Sequence, residues 1–190
     1  MKNTCFFAVL FFLFAHAYGQ NQEGTPWINS NTIPTIGPGN NVIFDLTIDK
    51  NNQLLAVSTY GIYIYNNRVW QDIPFPILYI PQYIFTDHNQ NIWAGNTWVD
   101  GFICRYDGSQ WESHIQYHVV GFANALDSSV WIGCRFGFYN YKNGNYINYK
   151  DSAGYPPEAK NYAMATDSTG KIWLGGNYGL MAFNGSSFTL

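Results

Sequence analysis

Residues 167–183 read DSTGKIWLGGNYGLMAF: an acidic turn, a short apolar strand with Trp before Gly, and a second Gly that opens another aromatic strand. Three further copies of this phrase lie at residues 48–65, 86–106 and 126–141. They read IDKNNQLLAVSTYGIYIY, TDHNQNIWAGNTWVDGFICRY and LDSSVWIGCRFGFYNY. A phrase repeated at a fixed period indicates a repeat architecture, and a turn used in every copy is typical of a scaffold rather than of a catalytic motif.

The spacing of the copies gives the size of the repeating unit. In steps of 38, 40 and 40 residues, the turn acid recurs at Asp49, Asp87, Asp127 and Asp167. The strand tryptophan recurs at Trp93, Trp131 and Trp173, in steps of 38 and 42 residues. In the first copy, Leu55 takes the place of this tryptophan. Units of about 40 residues predict one four-stranded blade each of a β-propeller. The predicted fold is therefore all-β, with about four blades that form either part of a propeller or a closed four-bladed one.

Each unit is predicted to contain four strands, A to D, because β-branched and aromatic runs alternate with Asp, Asn and Gly. The units cover residues 43–190 and divide at about 43–80, 81–120, 121–160 and 161–190. Strand A is predicted at 43–48, 83–86, 121–126 and 161–166. Strand B is predicted at 54–58, 92–95, 130–133 and 172–175. Strand C is predicted at 62–65, 102–106, 138–141 and 180–183.

The composition narrows the classes of partner. Of the 190 residues, 47% are hydrophobic and 19% aromatic, whereas only 11% are charged and the net charge is −3. The few lysines and arginines form no cluster, which argues against a nucleic-acid partner. Low charge together with many Tyr, Trp and Asn residues favours a β-rich surface that binds neutral, polar ligands.

The N-terminus has the pattern of a targeting segment. Lys2 precedes an apolar run at residues 5–15, which is too short to span a bilayer. With the small residues that follow, this pattern predicts a signal peptide at residues 1–19, with an uncleaved anchor as the alternative. Residues 20–42 are predicted to form a linker, with a possible orphan outer strand at 27–29. The mature protein is expected to be periplasmic or secreted, with no stable membrane span.

Cysteine and histidine spacing predicts neither a metal site nor a cofactor. Cys104 and Cys134 remain after signal cleavage, and two small buried residues are favoured over a disulfide between them. His114 and His118 are four apart, so a single strand would point both to one face. With His88 they offer metal ligands, but hydrogen-bonded or solvated histidines are the favoured interpretation.

The repeats resemble the two-component regulator propeller repeat. The best match is Asp167 to Gly175 followed by Gly179-Leu180, and the resemblance covers roughly residues 43–190. The first unit departs from the pattern, with Leu55 for Trp and Val57 for Gly. The resemblance implies that this chain is an extracytoplasmic sensor portion of a bacterial hybrid two-component kinase. It also implies a response to glycan fragments, which is common among such sensors. A kinase module would then be a partner if this chain is a fragment of a larger sensor.

Candidate ligand-binding residues lie just before the C strands, since the B–C and D–A connections of a propeller share one face. Aromatic candidates at this face are Tyr60, Trp98, Phe136 and Tyr178. Polar candidates beside them are Asn96, Asp100, Arg135 and Asn177. Aromatic rings stack on sugar rings and the polar groups bond hydroxyls. The alternative is that the aromatic rings wedge between blades.

The predicted function is that of an exported ligand-sensing propeller that recognises a small polar ligand, such as an oligosaccharide. One alternative is a scaffold on which the same face binds another exported protein. A glycan-active enzyme is the second alternative and would need a pair of carboxylates. The sequence contains no nucleophile motif and no Gly-rich phosphate cradle, so catalysis is not predicted.

Overall fold

The computed structural model describes residues 42–66, 69–76, 80–98, 101–115, 118–152 and 154–189. The predicted signal peptide and the possible strand at 27–29 lie outside the described residues, as does the predicted linker apart from Val42. Within the described part of the chain, no helical segment has the length and apolar character needed to cross a membrane.

The described residues form sixteen strands in four antiparallel sheets of four strands each. The first sheet contains β1 (Ile43–Ile48), β2 (Leu54–Ser58), β3 (Gly61–Asn66) and β4 (Val69–Ile73). The second contains β5 (Tyr83–Thr86), β6 (Ile92–Gly95), β7 (Phe102–Tyr106) and β8 (Trp111–Ile115). The third contains β9 (Val119–Asn124), β10 (Val130–Cys134), β11 (Gly137–Lys142) and β12 (Asn145–Asn148). The fourth contains β13 (Asn161–Thr166), β14 (Ile172–Gly176), β15 (Gly179–Phe183) and β16 (Phe188–Thr189).

Each strand pairs with its neighbour in sequence, so every sheet is a meander of strands A, B, C and D. The prediction of an all-β fold made of four-stranded blades is confirmed. The predicted strands lie within two residues of the observed ones. The largest difference is strand A of the third unit, which is predicted at 121–126 and lies at 119–124.

The A–B turn of the third sheet explains this difference. The N–H of Ala125 donates to the carbonyl of Ser129 at 2.8 Å and closes the turn. In the second sheet, the N–H of Asp87 makes the corresponding bond that closes its own A–B turn. Ala125 therefore occupies the position of the turn acid, and the predicted equivalence of Asp127 with the other turn acids was wrong. The spacing contained the signal, because Asp127 precedes Trp131 by four residues whereas the corresponding distance in the second unit is six.

The apolar core lies between neighbouring sheets rather than within one. Strand A of each sheet packs against strand A of the sheet before it. The first and second sheets bury a shared cluster that includes Leu55, Val57, Ile62, Ile84 and Ile92. The second and third bury Trp93, Ile103, Val119, Val130 and Ile132. The third and fourth bury Phe138, Leu174, Met181, Phe183 and Phe188.

Glycine in strand B allows this close packing. A Cβ placed on Gly95 would lie 2.7 Å from Cγ2 of Val119 and 2.9 Å from the carbonyl oxygen of Phe102. Such distances are below van der Waals contact, so a larger residue at position 95 would push the second and third sheets apart.

The four blades form an open arc. Contacts between strands of consecutive sheets are extensive, but contacts of that extent are absent between the described residues of the first and fourth sheets. Apolar side chains are accordingly exposed at both ends, with Leu46 and Ile48 on the first sheet and Leu180 on the fourth. Of the two predicted arrangements, the structure therefore has the partial propeller and not the closed four-bladed ring.

Both described cysteines are buried and free, which confirms the prediction that Cys104 and Cys134 do not pair. Burial raises the pKa of the Cys104 thiol to about 12 and raises that of Cys134 as well. Because the thiolate is the reactive form, both side chains are small core residues and neither is a nucleophile in the folded protein.

Candidate functional site

The B–C turns and the connections between sheets meet at one edge of the arc, which we call the B–C edge. Thr97 follows strand B of the second sheet, and its N–H and hydroxyl donate to Oε1 of Gln82 at 3.1 and 2.9 Å. In the third sheet, the N–H of Arg135 donates to the carbonyl of His118 at 2.7 Å. These bonds tie each B–C turn to the segment that precedes strand A of the same or the next sheet.

Three of the four predicted aromatic residues project into solvent at this edge. Trp98, Phe136 and Tyr178 are 48%, 50% and 43% exposed and come from the second, third and fourth sheets. Tyr60, from the first sheet, is only partly exposed, and its N–H donates to Oγ of Ser58 at 3.1 Å. The exposed rings do not have the burial expected of wedges between blades, and each leaves about half of its surface available for contact with a ligand.

The two asparagines among the predicted polar residues use their side chains to hold the backbone. Asn96 is 1% exposed, accepts from the N–H of Phe102 at 3.3 Å and donates to the carbonyl of Ile80 at 3.4 Å. Asn177 accepts from the N–H of Lys160 at 2.6 Å and donates to the carbonyl of Glu158 at 3.3 Å. The structure therefore gives both amides a positioning role at the B–C edge.

Arg135 is an exposed cation at this edge. Its guanidinium lies 5.6 Å from the centre of the Phe136 ring, a distance at which the cation is attracted to the ring face. The remaining predicted residue, Asp100, lies outside the described residues.

His118 belongs to this edge although its spacing in the sequence did not indicate so. Its ring packs edge-on against Phe136 with centroids 5.8 Å apart, and its Nδ1 lies 2.8 Å from the carbonyl oxygen of Thr97. A carbonyl only accepts, so Nδ1 carries the proton, and in the neutral ring Nε2 is an acceptor. The residue holds the second and third B–C turns together and offers one further polar group.

The predicted sharing of one strand face by His114 and His118 was wrong. His114 lies on β8 of the second sheet and packs on the ring of Tyr146 with centroids 4.5 Å apart. His118 precedes β9 of the third sheet. Within the described part of the chain, no three His, Cys, Asp or Glu side chains lie close enough together to hold a metal ion.

A cavity of about 300 Å³ lies at the opposite edge, between the second and third sheets. Its lining includes Arg105, whose Nη1 bonds Oε2 of Glu112 at 2.9 Å and whose Nη2 donates to Oδ1 of Asn91 at 3.2 Å. Nζ of Lys142 donates to Oδ2 of Asp127 at 2.7 Å across the same cavity wall. This bond and bonds from Ser129 hold the pKa of Asp127 well below its usual range.

Sequence reasoning missed this cavity because its residues lie in separate strands and hairpin turns of two sheets, which come together only when the sheets pack. The charged groups named above are already paired with each other, so the cavity presents mainly amides, hydroxyls and closed ion pairs. At the B–C edge, by contrast, the exposed rings leave contact surface unused.

Four-stranded meanders packed in sequence through their first strands define this chain as an arc of a β-propeller. No family model matches the sequence, and no curated protein matches it. Solved structures do match. The extracellular domain assigned to the hybrid two-component system BT4673 of B. thetaiotaomicron aligns with a TM-score of 0.61 and 22% identity, over 77% of this chain and 22% of that chain.

Two further structures are similar in fold. Virginiamycin B lyase from Staphylococcus aureus aligns with a TM-score of 0.67 and 13% identity, over 82% of this chain and 57% of that chain. PorZ, a surface component of the type-IX secretion system of Porphyromonas gingivalis, aligns with a TM-score of 0.63 and 14% identity, over 80% of this chain and 27% of that chain. The chain thus spans about a fifth of the sensor chain and over half of the lyase, and the similarity establishes the fold.

Proposed function

We propose that this chain is the ligand-binding part of an exported sensor propeller and that it recognises a neutral, polar molecule such as an oligosaccharide at the B–C edge. The observation that carries the proposal is the row of half-exposed rings of Trp98, Phe136 and Tyr178 at equivalent turns of three blades. The fold of extracellular sensor domains and the apolar segment at residues 5–15 support an exported role.

The chemistry of the edge fits a polyhydroxyl ligand better than an ionic one. Aromatic faces stack on the apolar face of a sugar ring, and half-exposed rings bind without having to displace protein neighbours. Arg135 and Nε2 of His118 add a donor and an acceptor beside Phe136. Binding across turns from different blades would favour one relative position of the blades, and this preference is what a sensor transmits to a neighbouring module.

The test is a glycan panel read by isothermal titration calorimetry, with the change in tryptophan fluorescence as a second signal. The wild-type protein is expected to bind at least one glycan saturably. The double variant Trp98→Ala, Tyr178→Ala should lose that binding, while Val69→Ala, which removes an exposed apolar side chain from outer strand β4, should retain it. Binding by both variants alike, or no binding to any glycan, would refute the proposal.

A protein-interaction scaffold is the second candidate. Trp, Tyr and Arg are enriched at the centres of protein interfaces, and the B–C edge exposes Trp98, Tyr178 and Arg135 together. Retention of a purified exported protein that Trp98→Ala abolishes, without any response to glycans, would favour this function. Because the fold also occurs in lyases, the glycan panel should be checked for turnover products.

A further inference from the structure

The cavity between the second and third sheets, which we call the interblade cavity, lies where the third sheet departs from the repeat. Ala125 stands where the second A–B turn has Asp87, so the third turn lacks the carboxylate that binds Nε1 of Trp93 in the second. Asp127 comes two residues later, at the position of Asn89, and belongs to the wall of the cavity. A place where an otherwise regular pattern fails is where a functional site is expected.

The interblade cavity has a buried floor and an exposed rim. Its volume of about 300 Å³ is at the lower end of the range for small-molecule sites. Asn91 and Ser129 are buried in its lining, whereas Asn89, Lys142 and Asn143 are exposed. A small molecule could therefore enter from solvent and reach polar groups from both sheets.

The formal charges of the cavity wall cancel each other. The lining contains the cations Arg105 and Lys142 and the carboxylates Asp87 and Asp127. Nζ of Lys142 lies 2.7 Å from Oδ2 of Asp127, and the carboxylate of Asp87 is saturated by donors of its own blade. An ion entering the cavity would lose hydration without gaining an unpaired counter-charge, so the wall disfavours anions and cations alike.

The wall has more hydrogen-bond donors than its own acceptors use. A guanidinium carries five N–H groups and an ammonium three. Arg105 donates from Nη1 to Glu112 and from Nη2 to Asn91, and its buried Nε has no partner among the described residues. Lys142 uses one of its three N–H groups for Asp127. The surplus of donors favours a ligand that is rich in acceptors.

Amide and hydroxyl side chains complete the lining at Asn89, Ser128 and Asn143. Each of these groups can both donate and accept a hydrogen bond, and so can each hydroxyl of a polyol. A wall with no net charge, surplus N–H donors and several amides is therefore complementary to an uncharged molecule that carries many hydroxyl groups.

We propose that the interblade cavity is a second binding site, which takes a neutral polyhydroxyl molecule of the size of a monosaccharide. The site lies at the edge opposite Trp98 and Tyr178, so it does not depend on the ligand proposed for the B–C edge. The second and third sheets both supply its wall, and an occupant would favour one position of these two blades relative to each other.

The experiment is an NMR titration of the isotope-labelled chain with glucose, galactose, mannose and N-acetylglucosamine, read from the backbone amide signals. With at least one of these neutral sugars, the signals of Asn89, Ser128 and Gly144 should shift and reach saturation. Glucuronate and glucosamine have a similar ring but carry a charge, and they should bind at least about 10-fold more weakly than the neutral sugar.

A blocking variant and its matched control test the location. Asn89→Tyr should fill the cavity with a ring, while the backbone N–H at this position keeps its 2.9 Å bond to Asp87, and the dissociation constant should rise at least about 10-fold. Asn51→Tyr makes the same change at the equivalent position of the first A–B turn, where the N–H donates to Asp49 at 2.8 Å outside the cavity. This control should bind like the wild type.

The double variant Trp98→Ala, Tyr178→Ala distinguishes the two sites, because it should leave the sugar-induced shifts of Ser128 and Gly144 unchanged. Three results would each overturn the proposal: no saturable shift at the cavity with any of the neutral sugars, equal affinities of the Asn89→Tyr and Asn51→Tyr variants, or tighter binding of a charged sugar. Circular dichroism would confirm that all variants are folded.

Discussion

Asp87 provides the sharpest test of how the blades are stabilised, because its side chain links the A–B turn to the core. It is 4% exposed. Oδ1 accepts from the N–H groups of Asn89 and Asn91 at 2.9 Å each, and Oδ2 accepts from Nδ2 of Asn91 at 2.8 Å and from Nε1 of Trp93 at 2.9 Å. Since Trp93 is completely buried, its indole N–H has the carboxylate of Asp87 as its hydrogen-bond acceptor.

We expect Asp87→Ala to lower the free energy of unfolding by about 3–5 kcal/mol. Two buried donors, the indole of Trp93 and the amide of Asn91, lose their acceptor at about 1–3 kcal/mol each, and the two turn bonds contribute the rest. Asp49→Ala is the matched control: Asp49 accepts from the N–H groups of Asn51 and Gln53 at 2.8 Å each, but Leu55 stands in place of the tryptophan. It should cost only about 1 kcal/mol.

Urea denaturation followed by far-UV circular dichroism measures both values, provided that the dependence on urea concentration is the same for all variants. Asp87→Asn is a useful third variant, because it keeps the shape of the side chain but places an N–H₂ group among the N–H donors that surround the carboxylate. It should therefore recover little of the stability that Asp87→Ala loses. Equal losses for Asp87→Ala and Asp49→Ala would refute the reasoning, since they would mean that packing alone holds Trp93.

Three further predictions concern pH, packing and thiol chemistry. The N–H of Gln110 lowers the pKa of Asp107, and the hydroxyl of Thr169 lowers the pKa of Asp167, each to about 2. The stability that these two carboxylates contribute should therefore be complete above about pH 4, the unfolded value, and should be lost as the pH drops towards 2, which lowers the urea midpoint there. Asp167→Asn should flatten that profile, and an unchanged slope would contradict this cause. Gly95→Ala should lower the free energy of unfolding by about 1–3 kcal/mol, because its Cβ would lie 2.7 Å from the side chain of Val119. Gly175→Ala is the control, since the nearest atom to its Cβ would be 3.9 Å away, and an equal loss in this variant would exclude steric crowding as the reason. Cys104, with its pKa raised to about 12, should react with a thiol reagent only after unfolding, and fast labelling of the native protein would show that it is accessible.

Much of the fold was predictable because its determinants are local. Strand B of the second sheet is predicted at 92–95 and found at Ile92–Gly95, since a short β-branched and aromatic run between turn residues has few alternatives. The third A–B turn was predicted wrongly because Asp127 looks like the other turn acids. Backbone bonding at Ala125 determines the register there, and Trp131 stacks on Phe138 at 4.8 Å instead.

The candidate site was predictable in part. The spacing placed Trp98, Phe136 and Tyr178 at equivalent turns, and the structure leaves all three half-exposed. It did not indicate that Asn96 is committed to Phe102 and Ile80, since the burial of an amide depends on segments that come together only when sheets pack. The position of His118 at the site was not predicted either, because it also depends on how the second and third sheets pack.

The sequence by itself determined the repeat, the four-stranded units and the positions of the turns, because hydrophobic alternation and turn chemistry act over a few neighbouring residues. Only the tertiary structure decided which faces are covered. Leu180 and Phe138 are both apolar residues at the start of a C strand, yet one is 59% exposed and the other fully buried. The difference arises because burial between blades depends on the presence of a next blade, and no local pattern within a repeat encodes whether its neighbour is there.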